Sequence, residues 1–173
     1  SLKNYLSKEL EPIGSAELTL TDIELQKILD SRNRCFNDVF YTQYSLGFFK
    51  WRISNQKSNY YYYTNDEIGF VIYTVQQKYN KKEVTIGEVF LYEQSYKNFK
   101  RLLNGVLTLE KPFFTTIFIF KSHPLFRYYA RYGFIPNLLN YNLNFGVKRL
   151  HDKSSVGMLD DKKWALSSID LDT

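Results

Sequence analysis

Leu125-Phe126-Arg127-Tyr128-Tyr129-Ala130-Arg131-Tyr132-Gly133-Phe134 reads as a helix that stops at its glycine. Gly133 has no Cβ to clash in the left-handed conformation with which helices commonly end. Phe134, directly after it, is placed to drop into a core as the next strand begins. The pattern predicts a helix from about Pro124 to Tyr132. Just upstream, Phe113 to Phe120 is almost continuously apolar, the signature of a strand buried on both faces and therefore of a parallel partner across a β-helix-β crossover. Downstream, the alternation in Tyr141-Asn142-Leu143-Asn144-Phe145 predicts a further strand.

Toward the N-terminus, Asn98 is a good helix cap, and Leu102, Leu103, Val106 and Leu107 recur at helical spacing as far as Leu109. Three strand-like runs come before it, at Tyr60 to Thr64, Ile68 to Gln76 and Glu83 to Tyr92. The turn-prone Asn65-Asp66-Glu67 and Tyr79-Asn80-Lys81-Lys82 separate them, so they read as an antiparallel meander. Earlier still, Thr21 and Glu24 have capping-box spacing for a helix to Arg34, with Ile23, Leu25, Ile28 and Leu29 as its apolar face. A second short helix is expected at Ser45 to Trp51. Helices, meander, helix, strand, helix, strand make an α/β fold of the α+β kind: a mixed sheet with a crossover helix, a parallel central pair and helices on both faces.

A chain of 173 residues, 44% hydrophobic and 24% charged, suits one domain with a sizeable core. The core is expected at about 21–147, with 148–173 a polar C-terminal extension. The first residue is Ser1 rather than Met, which leaves room for the chain to be a piece of a longer protein. The net charge of +5 comes from basic residues interleaved with acids, as in Asp160-Asp161-Lys162-Lys163. That is the pattern of a solvated surface, so no nucleic-acid partner is expected. Cys35 is the sole cysteine, which excludes an intramolecular disulfide and a thiolate zinc cluster and points to a reducing, cytoplasmic setting. No apolar run is long enough to span a bilayer, so no membrane partner is expected. The 15 Tyr and 14 Phe are explained by codon usage in an AT-rich genome or by a stacking surface.

The order of elements, and above all the Tyr129-x-x-x-Gly133-Phe134 ending of the late helix, resembles the GNAT superfamily of N-acetyltransferases over roughly Thr21 to Phe145. The cluster Phe48-Phe49-Lys50-Trp51-Arg52, with Trp164 and the tail Ser168-Ile169-Asp170-Leu171-Asp172, is similar to a divergent bacterial group of such proteins. The resemblance implies acetyl-CoA or another acyl-CoA as donor and a small amine, aminosugar or peptide amine as acceptor. It assigns the proton to the departing thiolate to Tyr129 and the base role to Glu88. The backbone of Phe90 and Leu91 would pair with the pantetheine arm by extending the sheet. Ser122 stands where that superfamily often has a CoA-binding Asn.

One departure bears on the cofactor. The superfamily holds the CoA pyrophosphate on a glycine-rich loop at a helix N-terminus, and here the junction reads Glu93-Gln94-Ser95-Tyr96-Lys97-Asn98, with no glycine. Capping by Asn98 would leave the amides of Phe99, Lys100 and Arg101 to meet an anion, with side chains crowding the approach. Each candidate also has a plainer reading. Glu88 can point to solvent from one face of its strand, and Tyr129 can pack on the sheet with its hydroxyl at the surface. His123 and His151 lack ligands at metal-site spacing, and His123-Pro124 reads as helix-entry chemistry. Cys35 reads as a small buried apolar residue, and Asp170 and Asp172 as a solvated tail. Beside the enzyme stands a catalytically silent GNAT-like module; an exposed patch at Tyr60 to Tyr63 would mark the module, and an opening between the third and fourth strands the enzyme.

Overall fold

A computed structural model of the chain describes residues 14–54, 59–78, 80–135 and 165–167. The strand expected at Tyr141 to Phe145, the polar stretch from His151 and the acidic tail lie outside the described residues. The elements are α1 (Asp22–Asn33), α2 (Leu46–Ser54), β1 (Tyr61–Asn65), β2 (Gly69–Lys78), β3 (Lys81–Leu91), α3 (Tyr96–Glu110), β4 (Phe114–Ile117) and α4 (Phe126–Tyr132).

The capping box expected at α1 is present: Glu24 N–H donates to Thr21 Oγ1, and Thr21 N–H donates to Glu24 Oε2 at 2.9 Å. Leu25, Ile28 and Leu29 are buried, but Ile23 is 70% exposed. Two residues before Leu25, it is turned about 200° from the buried face of a helix with 3.6 residues per turn. Arg32, one turn beyond Ile28, is on that buried face instead. At α2, Ser45 Oγ accepts Phe48 N–H, and Phe49 is buried while Trp51 is exposed. Cys35 follows the end of α1, half-buried, with its thiol on Ser31 O at 3.2 Å.

The strands form one sheet in the order β1-β2-β3-β4, antiparallel from β1 to β3 and parallel between β3 and β4. The chain passes from β3 through α3 to reach β4, as a parallel partner requires. α1 and α2 pack with Tyr62, Phe70, Ile72 and Phe90 on one face. α3 and α4 pack with Val71, Tyr73, Val84, Ile86, Val89 and Leu91 on the other. Helices therefore cover both faces. No helix among the described residues is long and apolar enough to cross a membrane.

The sheet departs from regularity in two places. In β3 the register steps from Ile86 opposite Tyr73 to Glu88 opposite Ile72, leaving Gly87 as an extra residue. Such a bulge reverses which side chains face which way. Val84 and Ile86 face α3, whereas Glu88 and Phe90 face α1. The other place is β4, where an expectation is corrected. This strand is short, its residues are half-buried or exposed, and among the described residues it forms the edge of the sheet rather than a centre buried on both faces. Its apolar run is spent partly outside the strand: Phe113 is exposed with Lys81 Nζ 3.5 Å above its ring, and Phe120 N–H donates to Leu166 O.

Candidate functional site

The bulge at Gly87 turns Glu88 into the sheet face covered by α1, where the carboxylate is 1% exposed. Arg32 meets it in a fork, Nε donating to Oε1 at 2.7 Å and Nη2 to Oε2 at 3.1 Å. Ser167 Oγ donates to Oε2 at 2.9 Å, and Arg32 Nη1 donates to Thr42 O at 2.8 Å. The guanidinium carbon lies 4.7 Å from the Phe36 ring centroid and 4.3 Å from that of Tyr44, so aromatic faces complete its surroundings. Burial by itself pushes the Glu88 carboxyl up, but the charge of Arg32, with His123 beside it, outweighs that and holds the group down at about 2. Glu88 is thus neither solvent-facing nor well matched to take a proton near neutral pH, where an efficient base has a pKa close to the working pH.

His123 sits in the turn between β4 and α4. Its Nδ1 accepts Leu125 N–H at 3.2 Å, the helix-entry role expected of it. Its Nε2 reaches to 3.3 Å from Glu88 Oε1 without the alignment of a hydrogen bond, and Phe36 meets the ring edge-on at 5.1 Å. Tyr129, on α4, is wedged edge-on between Phe99 and Phe134, with ring centroids 4.7 and 5.3 Å away. Its hydroxyl is buried rather than at the surface and has no hydrogen-bond partner among the described residues. Burial first, and then the negative charge of Glu88, raise its pKa well above the ordinary value, so the phenol keeps its proton. Gly133, at φ 115°, ends α4 in the left-handed region, and its N–H closes back on Tyr129 O, fixing the helix under the ring.

The positions expected to bind a cofactor are dispersed around this centre. Phe90 is fully buried and stacked on Phe70 at 4.6 Å, and Leu91 is in the opposite core. Both lie where β3 has outrun β4, since the parallel pairing ends at Ile86 and Ile117. Tyr92 N–H donates to Ile68 O on the β2 side. Strand alternation therefore turns the backbone groups of Leu91 to the other edge, where Gln94 Nε2 reaches Leu91 O at 3.5 Å. Ser122 is half-buried in the turn next to His123. Asn98 is not the cap of α3. Ser95 is, accepting Asn98 N–H on its hydroxyl at 3.2 Å, and the helix starts three residues earlier than Asn98 would have started it. Serine follows an extended junction here and its short side chain reaches the third amide, leaving Asn98 inside the first turn.

Two residues of the cluster, Arg32 and Ser167, were not among the candidates read from the sequence, and His123 was read there only for metal binding and helix entry. For Arg32 a signal existed, since it falls seven residues after Leu25 and four after Ile28, on the apolar stripe. Ser167 carries no such signal. It is brought in by the contact of residues 165–167 with Phe40 and Phe120, through Ala165 N–H on Phe40 O and Phe120 N–H on Leu166 O. No group of three or more His, Cys, Asp or Glu among the described residues is placed to hold a metal ion. No protein-family model, curated protein or solved structure matches the chain.

Proposed function

We propose that this chain is an acyl-CoA-dependent N-acyltransferase of GNAT type acting on a small amine, an aminosugar or a peptide amine, with Tyr129 protonating the departing thiolate. The observation that carries the reading is the Tyr129 hydroxyl: buried, protonated, near Glu88 and without a partner among the described residues. A buried donor left unpaired costs about 1–3 kcal/mol, so one that persists calls for an explanation in function. The mixed sheet, the parting of β3 from β4 and the glycine-stopped α4 agree with that reading.

Acyl-CoA would supply an activated acyl group and a thiolate leaving group. The edge of β3 at Leu91, past the end of β4, would hold its pantetheine arm with Gln94 moved off Leu91 O, and the first amides of α3, at Tyr96 and Lys97, its phosphates. Tyr129 gives its phenolic proton to sulfur as the carbon–sulfur bond breaks and a carbon–nitrogen bond forms. The proton that the attacking amine loses would restore the phenol once the thiol has left. Glu88, fixed by Arg32, keeps the surroundings of the hydroxyl polar without itself exchanging a proton.

Tyr129→Phe is expected to lower kcat by about 100-fold or more while leaving the KM for the acyl donor unchanged. Unchanged turnover in that variant removes Tyr129 from the acid role. The silent module is favoured by one feature, the exposed pair Phe48 and Trp51 on α2, with ring centroids 5.6 Å apart. The Tyr60 to Tyr63 patch gives it no support, because Tyr60 and Tyr62 are buried. Calorimetric titration of the folded chain with acetyl-CoA and CoA separates the two: the enzyme binds both, and the module binds neither.

A further inference from the structure

We propose that His123 is a second donor of this site, presenting Nε2–H to the carbonyl oxygen of an acyl thioester whose sulfur is served by Tyr129; the inference rests on the acyltransferase reading. The direction of the proton follows from the other side of the ring. Because Nδ1 accepts Leu125 N–H at 3.2 Å, it carries no hydrogen, which places the ring proton on Nε2. That N–H is buried, and it has no hydrogen-bond partner among the described residues. The nearest acceptor, Glu88 Oε1, lies 3.3 Å away and out of line, and it already receives Arg32 Nε at 2.7 Å. Edge-on contact with Phe36 at 84° holds the imidazole plane.

Two buried donors beside Glu88, one from the turn before α4 and one from α4 itself, would suit a group that offers two acceptors on one carbon. A thioester does so, with its carbonyl oxygen and its sulfur. Arg32 offsets the charge of Glu88 through the fork, so a neutral acyl group suits the surroundings better than a free carboxylate or an ammonium. As the amine nitrogen attacks, electron density moves onto the carbonyl oxygen, and a fixed N–H in a dry site is worth about 100- to 1,000-fold in rate. His123 keeps its proton throughout; the only proton donated is the phenolic one.

The test begins with the free protein. Nitrogen-15 NMR of histidine-labelled chain at neutral pH, with His151→Gln to identify the signal, should find His123 protonated on Nε2 alone. A proton on Nδ1 overturns the inference whatever the protein binds. Infrared spectra of bound acetyl-CoA labelled with carbon-13 at the thioester carbonyl come next. The band should move to lower wavenumber in the native protein, return to its free position in His123→Phe, and stay shifted in His123→Gln, whose amide nitrogen can reach the place of Nε2. kcat should fall about 100-fold in His123→Phe and recover substantially in His123→Gln. Binding with the same carbonyl band in native protein and His123→Phe removes His123 alone, whereas failure of the native chain to bind acetyl-CoA removes the acyltransferase reading and this inference together.

Discussion

Arg32 and Glu88 form a buried ion pair, an arrangement whose desolvation cost is offset only when the geometry is good and the remaining polar atoms are satisfied. Here the fork, Ser167, Thr42 O and the flanking rings meet that condition. Removing one partner strands the other, so Glu88→Gln or Arg32→Met should each cost about 3–5 kcal/mol in denaturant unfolding, and the double variant Arg32→Met/Glu88→Leu much less than their sum. The pair also sets an acid limb. The folded carboxyl sits at about 2, below its ordinary 4.5, so its contribution to stability is complete above pH 4.5 and fades as pH falls toward 2. Glu88→Gln should flatten stability over that interval, and an unchanged slope would mean that other carboxyls govern it. In the sequence Glu88 stood out as an acid inside an apolar strand, but its neighbours could not be named. Its partners lie 56 and 79 residues away, and no local periodicity links such positions.

At the scale of elements, local chemistry was legible wherever one residue acts on its own helix. Thr21 with Glu24 starts α1, and Gly133 stops α4, as the spacing and the absence of a Cβ require. The start of α3 was legible as a cap but not as to which residue supplies it, because Ser95 and Asn98 are both good caps and the choice depends on where the chain leaves β3. Ser95→Ala should destabilise the protein by about 1 kcal/mol and Asn98→Ala by clearly less; the reverse order would restore Asn98 as the cap. The bulge at Gly87 had no sequence signal beyond a glycine in a strand. Its consequence is large, since in regular alternation Glu88, two residues after Ile86, would share the face of Ile86 and look into the α3 core. β4 shows the opposite failure. An apolar run indicates burial, but not whether the burial comes from a second strand or from loops and residues 165–167.

For the whole molecule, the two faces of the sheet carry separate cores, and the candidate site lies at the end of the seam where β3 continues past β4. Residues 165–167 close this region from outside: all three are buried, and Ser167 ends on Glu88. Leu166→Ala should therefore cost about 2–4 kcal/mol despite its place near the end of the chain, as for other buried leucines; a loss under about 1 kcal/mol would mean that the segment is not held against Phe120 in solution. For the described residues, the sequence by itself determined which segments form helices and strands, their order, and the stop at Gly133, because propensity, capping and side-chain periodicity act between residues a few positions apart. Only the tertiary structure decided that Arg32, Glu88, His123 and Ser167 converge, that Tyr129 points its hydroxyl inward, and that β4 lies at the edge of the described sheet. Those outcomes depend on how separate elements pack, and burial, ion pairing and the sense of a bulge exist only once distant segments meet.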